Sequence, residues 1–166
     1  MQSIVLSVFL YLVGIVIQFS WSQYFSYAGI APNVIISFIM FLGLVRGSMT
    51  GLLFGFAWGI SWDVLSIDLF GSHALLFTSM GYFAGMLNRK WNESKVVNQM
   101  LVTLVASLFF WLGMYSLFHV FGTDDTGFAV NYSTFIQPFY NMLIAPAIFF
   151  IGKKILSVFA IRHREY

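Results

Sequence analysis

Few side chains in this 166-residue sequence could take part in chemistry, and they lie far apart. The sequence contains no cysteine, which excludes disulfides, thiolate metal sites and cysteine nucleophiles. The three histidines are too scattered for a metal-binding cluster. No HExxH, GxSxG or GxGD pattern occurs, and no phosphate-binding glycine loop that ends in Lys-Ser/Thr. We therefore predict no catalytic residue, no metal, no cofactor and a protein that is not an enzyme.

Asp63 is the strongest remaining candidate, because an acidic residue at the end of an apolar helix can mark a path for protons or ions. Alternatively, Asp63 lies near the outer membrane interface, about 24 Å above Gly47, where it caps a turn or meets water. We favour this second interpretation, since acids in such a path have identifiable partners and only His73 is near in sequence. His73 either hydrogen-bonds to Asp63 or is a solvated interfacial histidine, and the sequence does not rank these two alternatives.

The element that must position Asp63 is the stretch between Arg46 and Arg89, where only Asp63 and Asp68 are charged. As a single helix this stretch would be roughly 63 Å long, about twice the thickness of the bilayer hydrocarbon. It must therefore fold back as a transmembrane hairpin. The apolar pattern breaks between Asp63 and Gly71, which predicts the turn there. The structural residues of the turn are Asp63, Gly71 and His73.

Glycines recur at every fourth position of the first helix of this hairpin. Because four residues advance about 400° around a helix, the glycines form one face without side chains. Such faces let helices pack closely in lipid, where burial of apolar surface gives no incentive to associate. This face packs against another helix of the same protein or against a helix of a partner, and the sequence supports both alternatives equally. The helix-packing glycines are Gly47, Gly51, Gly55 and Gly59 on the first helix and Gly81 and Gly85 on the second.

The composition is that of an integral membrane protein, with 60% hydrophobic and 8% charged residues and a mean hydropathy of +0.86. We predict an all-α polytopic protein in which residues 1–166 form a single membrane domain. Six transmembrane helices are expected at residues 4–19, 30–45, 47–64, 72–87, 96–118 and 135–152, with a cytoplasmic tail over residues 153–166.

The positions of the basic residues predict the orientation of these helices. With an inside amino terminus every Lys and Arg falls inside, and no external loop contains one. Both termini are therefore expected in the cytoplasm. The basic residues face membrane lipid in this arrangement, and we expect no binding of nucleic acid.

One segment of the chain carries a recognisable pattern. A glycine-rich helix and an aspartate occupy residues 55–66 (GFAWGISWDVLS), and a glycine with the start of a second helix occupies residues 71–75 (GSHAL). This order resembles the bacterial rod shape-determining protein MreD family. Weaker similarities are Pro32-Asn33 and the pair Asn141 and Pro146, so the resemblance extends over most of the chain.

The resemblance implies a non-enzymatic scaffold of the cell-wall elongation complex, in the bacterial cytoplasmic membrane, that helps to maintain rod shape. The implied partner is MreC, a single-span protein with a large external domain, within machinery that includes MreB filaments, the RodA glycosyltransferase and its transpeptidase. It also implies a fold similar to the S components of energy-coupling-factor vitamin transporters, so a substrate-binding S component is the alternative function. Those subunits usually present an Ala-xxx-Ala face on their first helix. Residues 4–19 contain no alanine, which favours the scaffold.

Overall fold

The apolar segments fold into six helices in a computed structural model, which describes residues 2–24, 30–66, 69–88, 90–122 and 132–161. The helices are α1 (Gln2–Tyr24), α2 (Val34–Arg46), α3 (Ser48–Leu65), α4 (Ser72–Met86), α5 (Val96–Phe121) and α6 (Tyr132–Ile161). The charged residues Asp68, Arg89, Arg162 and Arg164 lie outside the described residues.

α5 ends at Phe121, three residues beyond the prediction, and three other helices differ more from their predicted extents. α1 continues to Tyr24 instead of ending at residue 19. α2 begins at Val34, not at residue 30, because the chain is still extended before it and the ring of Pro32 disfavours the helical conformation at Ala31. α6 continues to Ile161, so most of the predicted tail is helical. Ile155 and Leu156 extend the apolar face of α6 and pack against the core.

α2 lies at the centre of the bundle and packs against each of the other five helices. All residues of the range Val34–Leu44 are buried, as expected for a helix that is apolar on every side. The ring of Phe38 meets Trp58 edge-on at 6.0 Å between centroids, and Phe41 meets Phe149 in the same way at 5.4 Å.

α2 begins deep inside the bundle. Its 13 residues are about 20 Å long, which is short for a hydrocarbon layer about 30 Å thick. Asn33, just before α2, is hydrogen-bonded to Asn141, which in turn bonds Ser107, about 16 Å along α5 from Val96. Ser107 is thus near the midpoint of α5, and residues 30–33 lead the chain to that depth. The prediction of one continuous helix over residues 30–45 is therefore wrong for residues 30–33, which are not helical.

Two of the described helical segments are long and apolar enough to cross a membrane, Val96–Phe121 and Thr134–Ser157. Val8–Gln18 and Val34–Arg46 are shorter apolar helices. The described part of the chain is therefore all-helical with two membrane-spanning candidates, and the passage of all six helices through the membrane stays a prediction.

Candidate functional site

The glycine faces of α3 and α4 lie directly against one another. A Cβ atom added at Gly51, Gly55 or Gly59 would approach backbone atoms of α4 to less than 3.0 Å, which packed proteins do not allow. The opposing positions on α4 are Gly81, Phe77 and Ala74. At the other end of the contact, Gly85 of α4 lies against the backbone of Ser48. We call this contact the glycine seam.

A glycine that the sequence analysis did not select completes the glycine seam. Gly43 of α2 lies against Ala84, Gly81 and Gly85, and its Cα is also 3.0 Å from a Cβ built on Gly51. The backbones of α2, α3 and α4 therefore converge at one point. The available signal was the four-residue spacing, which extends back from Gly47 to Gly43 in the sequence.

The interpretation of these glycines as a groove for a helix of another protein is corrected by this geometry. α4 occupies the glycine face of α3, so no second backbone can enter it. Gly47 takes part only through its backbone, since its carbonyl carbon lies against Gly85 whereas a Cβ on Gly47 itself would meet nothing within 4 Å. Gly47 instead forms the one-residue connection between α2 and α3 with φ +93°, a conformation that glycine adopts without strain.

The carboxylate of Asp63 is held at the start of α4. Its Oδ1 accepts from the backbone N–H of His73, and its Oδ2 accepts from that of Ala74, both at 3.0 Å. The imidazole Nδ1 of His73 is also 3.0 Å from Oδ1. The side chain of Asp63 is 0% exposed, so contact with water is ruled out for it in this structure. A carboxylate so placed satisfies N–H groups that the first turn of a helix leaves without partners.

The surroundings of this carboxylate are aromatic. The His73 ring has its centroid 6.2 Å from that of Trp62, 5.9 Å from Phe77 and 5.6 Å from Phe110. His73 is buried, which excludes the solvated alternative for this residue. Gly71 precedes α4 in a left-handed conformation with φ +91° and allows the chain to enter α4 beside Asp63. Across the described residues, no three His, Cys, Asp or Glu side chains are grouped so that they could hold a metal ion.

A second polar cluster, which the sequence analysis did not select as a site, surrounds the start of α2. Gln18 Oε1 accepts from the backbone N–H groups of Val34 at 2.7 Å and Ile35 at 3.3 Å. Asn141 Oδ1 accepts from the N–H of Asn33 at 2.7 Å. Amides of α1 and α6 thus take the place that water takes at an exposed helix start. The usable signal was an amide side chain within a long apolar stretch, Gln18 in α1 and Asn141 in α6.

Segments that the predicted topology places inside the cell meet at one end of the bundle. Lys153 Nζ donates to Ser94 Oγ at 3.1 Å and lies 3.9 Å from Glu93 Oε1. Asn88 Nδ2 donates to the carbonyl of Leu44 at 2.5 Å. The α4–α5 connection, the last turn of α2 and the later part of α6 therefore meet. The described basic residues at this end are Arg46, Lys90, Lys95, Lys153 and Lys154.

Comparison with known proteins identifies a family for this chain. A family model described as "rod shape-determining protein MreD" covers residues 1–159. No curated protein and no solved structure matches the chain. The expected likeness to the S-component fold therefore stays a prediction from the sequence resemblance.

Proposed function

The chain belongs to the MreD family of rod shape-determining proteins, and from that premise we propose that it is a membrane scaffold of the cell-wall elongation complex. The family match over residues 1–159 carries this proposal, since it covers nearly all of the 166-residue chain and indicates a role in cell shape. In the proposed role the protein binds MreC, and through it contributes to an assembly with MreB, RodA and the elongation transpeptidase.

We place the protein in the bacterial cytoplasmic membrane with six passes and both termini inside. The basic residues at one end of the bundle support this orientation, because cytoplasmic ends carry an excess of Lys and Arg. Hydrogen bonds from other segments at both ends of α2 support its insertion despite its length. Gln18 and Asn141 serve its first N–H groups, and Asn88 serves the carbonyl of Leu44.

The use of the buried polar side chains supports a scaffold. Asp63, Gln18 and Asn141 all bond backbone N–H groups of their own chain, so they fix helix positions. In a transporter with a broken helix, the exposed N–H groups of the half-helix face the substrate. In this protein the side-chain amides of Gln18 and Asn141 accept hydrogen bonds from the corresponding N–H groups at the start of α2. This favours the scaffold over the vitamin-binding alternative.

The surface for a partner must lie outside the glycine seam. Large apolar side chains on α4 and α5 are open to the membrane and offer contact area to a foreign transmembrane helix. They include Leu75, Phe83, Leu101, Val105 and Leu112, each more than 40% exposed.

Depletion of the protein in a rod-shaped host tests the proposed function. We expect rounded and widened cells, restored by the intact gene and not by added vitamins. Recovery of normal shape on supply of a vitamin, or unchanged rod shape in depleted cells, would overturn the proposal.

A further inference from the structure

α1 and α3 run side by side in the same direction and are joined by Tyr11. The indole Nε1 of Trp58 donates to the backbone carbonyl of Tyr11 at 3.1 Å, and the two rings stack at 6.3 Å between centroids. The hydroxyl groups of Tyr11 and Ser61 lie 2.5 Å apart. This contact ties α1 to α3 at a single level of the bundle.

Towards the basic end of the bundle, the two helices leave a cavity of about 250 Å³ between them. We call it the α1–α3 wedge. Its lining residues are Val8, Tyr11, Leu53, Phe54 and Ala57. Val8 and Leu53 are each more than half exposed, so the wedge opens to the surface that faces the membrane.

The walls of the wedge do not suit a second helix backbone. Close helix packing in lipid requires glycine or other small residues on the contact face. The glycines of α3 are used in the glycine seam, and Gly14 of α1 is covered by the indole of Trp58. Ala57 is the one small residue among the lining residues, beside bulky Leu53 and Phe54. A narrow hydrocarbon chain fits such a wedge better than a helix.

The charge near the start of α3 indicates the kind of molecule to which such a hydrocarbon chain belongs. Arg46 is exposed at the end of α2, next to the start of α3. Ala57 lies eleven residues further on, about 16 Å, and one leaflet of hydrocarbon is about 15 Å thick. The acid described at this end, Glu93, is paired with Lys153, so the local charge is positive. Positive charge at the membrane surface attracts anionic headgroups.

We propose that the α1–α3 wedge binds one anionic phospholipid, with its phosphate at Arg46 and one acyl chain along Leu53 and Ala57. The site is independent of the proposed scaffold function, since it uses neither the glycine seam nor the exposed faces of α4 and α5. If the wedge binds no lipid, the expected cell-shape phenotype and partner binding are unchanged.

Native mass spectrometry of the full-length protein, released from nanodiscs with equal amounts of phosphatidylglycerol and phosphatidylethanolamine, tests this proposal. We expect one retained phosphatidylglycerol. Arg46→Gln should reduce its retention about fivefold, which corresponds to about 1 kcal/mol for one charge near the headgroups. Ala57→Phe should fill the wedge and also reduce retention, whereas Leu143→Phe on the exposed surface of α6 should not.

Several outcomes would overturn the proposal. Equal retention of the two lipids, no retained lipid, or the same retention in all variants would show that the wedge is not a lipid site. A polypeptide found in place of the lipid would assign the wedge to a protein partner. If Ala57→Phe does not fold, the surface variant Arg46→Gln decides alone.

Discussion

The carboxylate of Asp63 and the imidazole of His73 lie 3.0 Å apart at the junction of α3 and α4, with both side chains at most 5% exposed. The same carboxylate accepts from two backbone N–H groups of α4. The neutral imidazole of His73 donates to this oxygen in the tautomer that carries its proton on Nδ1. Asp63 thus fixes the end of α3 to the start of α4. From the sequence alone, this residue is considered both as part of an ion path and as a residue near the outer interface that caps the turn or meets water.

Substitution of Asp63 distinguishes a role in fixing α3 to α4 from a role in an ion path. Asp63→Asn retains one acceptor oxygen and should lower the free energy of unfolding by about 1–3 kcal/mol, since one buried N–H loses its partner. Asp63→Leu removes every acceptor and should be more destabilising. Melting temperatures of the purified variants, with unfolding monitored by size-exclusion chromatography, measure this order of stability. An Asn variant as stable as wild type that no longer supports rod shape would point to ionic or proton chemistry instead.

The glycine seam should not tolerate even one methyl group. Gly55→Ala places a Cβ against the carbonyl of Phe77, and we expect a loss of stability of about 1–3 kcal/mol or more. Gly59→Leu should prevent folding. Gly113→Ala is the matched control, because its Cβ meets the terminal methyl groups of Leu76 and not a backbone. Equal melting temperatures for Gly55→Ala and Gly113→Ala would contradict the packing described.

Asn141 should stabilise the start of α2 although it belongs to α6. Asn141→Leu has a similar volume but leaves the N–H of Asn33 without an acceptor, and it should cost about 1–3 kcal/mol. Ser107→Ala removes a hydroxyl that accepts from Asn141 and should cost less. The comparison of the two melting temperatures checks this. A Leu variant as stable as Ser107→Ala would show that α2 does not depend on this hydrogen bond.

Single cysteines can report the topology, since the chain has no native cysteine. Cysteine at Phe70, in the exposed turn between α3 and α4, should react with an impermeant maleimide in intact cells. Cysteine at Lys95, at the basic end of the bundle, should react only after permeabilisation. The reverse pattern at both positions would refute the orientation with both termini inside.

The sequence was sufficient to predict six helices, because long apolar segments separated by polar or glycine-containing turns have few alternatives in a membrane. It predicted the turn at Asp63 for the same reason. It could not decide whether the glycines of α3 face an internal or a foreign helix, since their spacing is the same in both cases. It did not reveal that Gln18 and Asn141 both bond the start of α2, because an amide in an apolar segment does not identify its partner, and Asn141 lies 108 positions from Asn33.

The proposed scaffold function requires that this protein bind another membrane protein through transmembrane contacts, most directly the single span of MreC. Native mass spectrometry of the full-length chain, gently solubilised from a rod-shaped host, tests it. We expect a heteromeric complex with the single-span partner, retained when the external domain of that partner is removed. A bound vitamin or a transporter ATPase, without any single-span partner, would contradict the account.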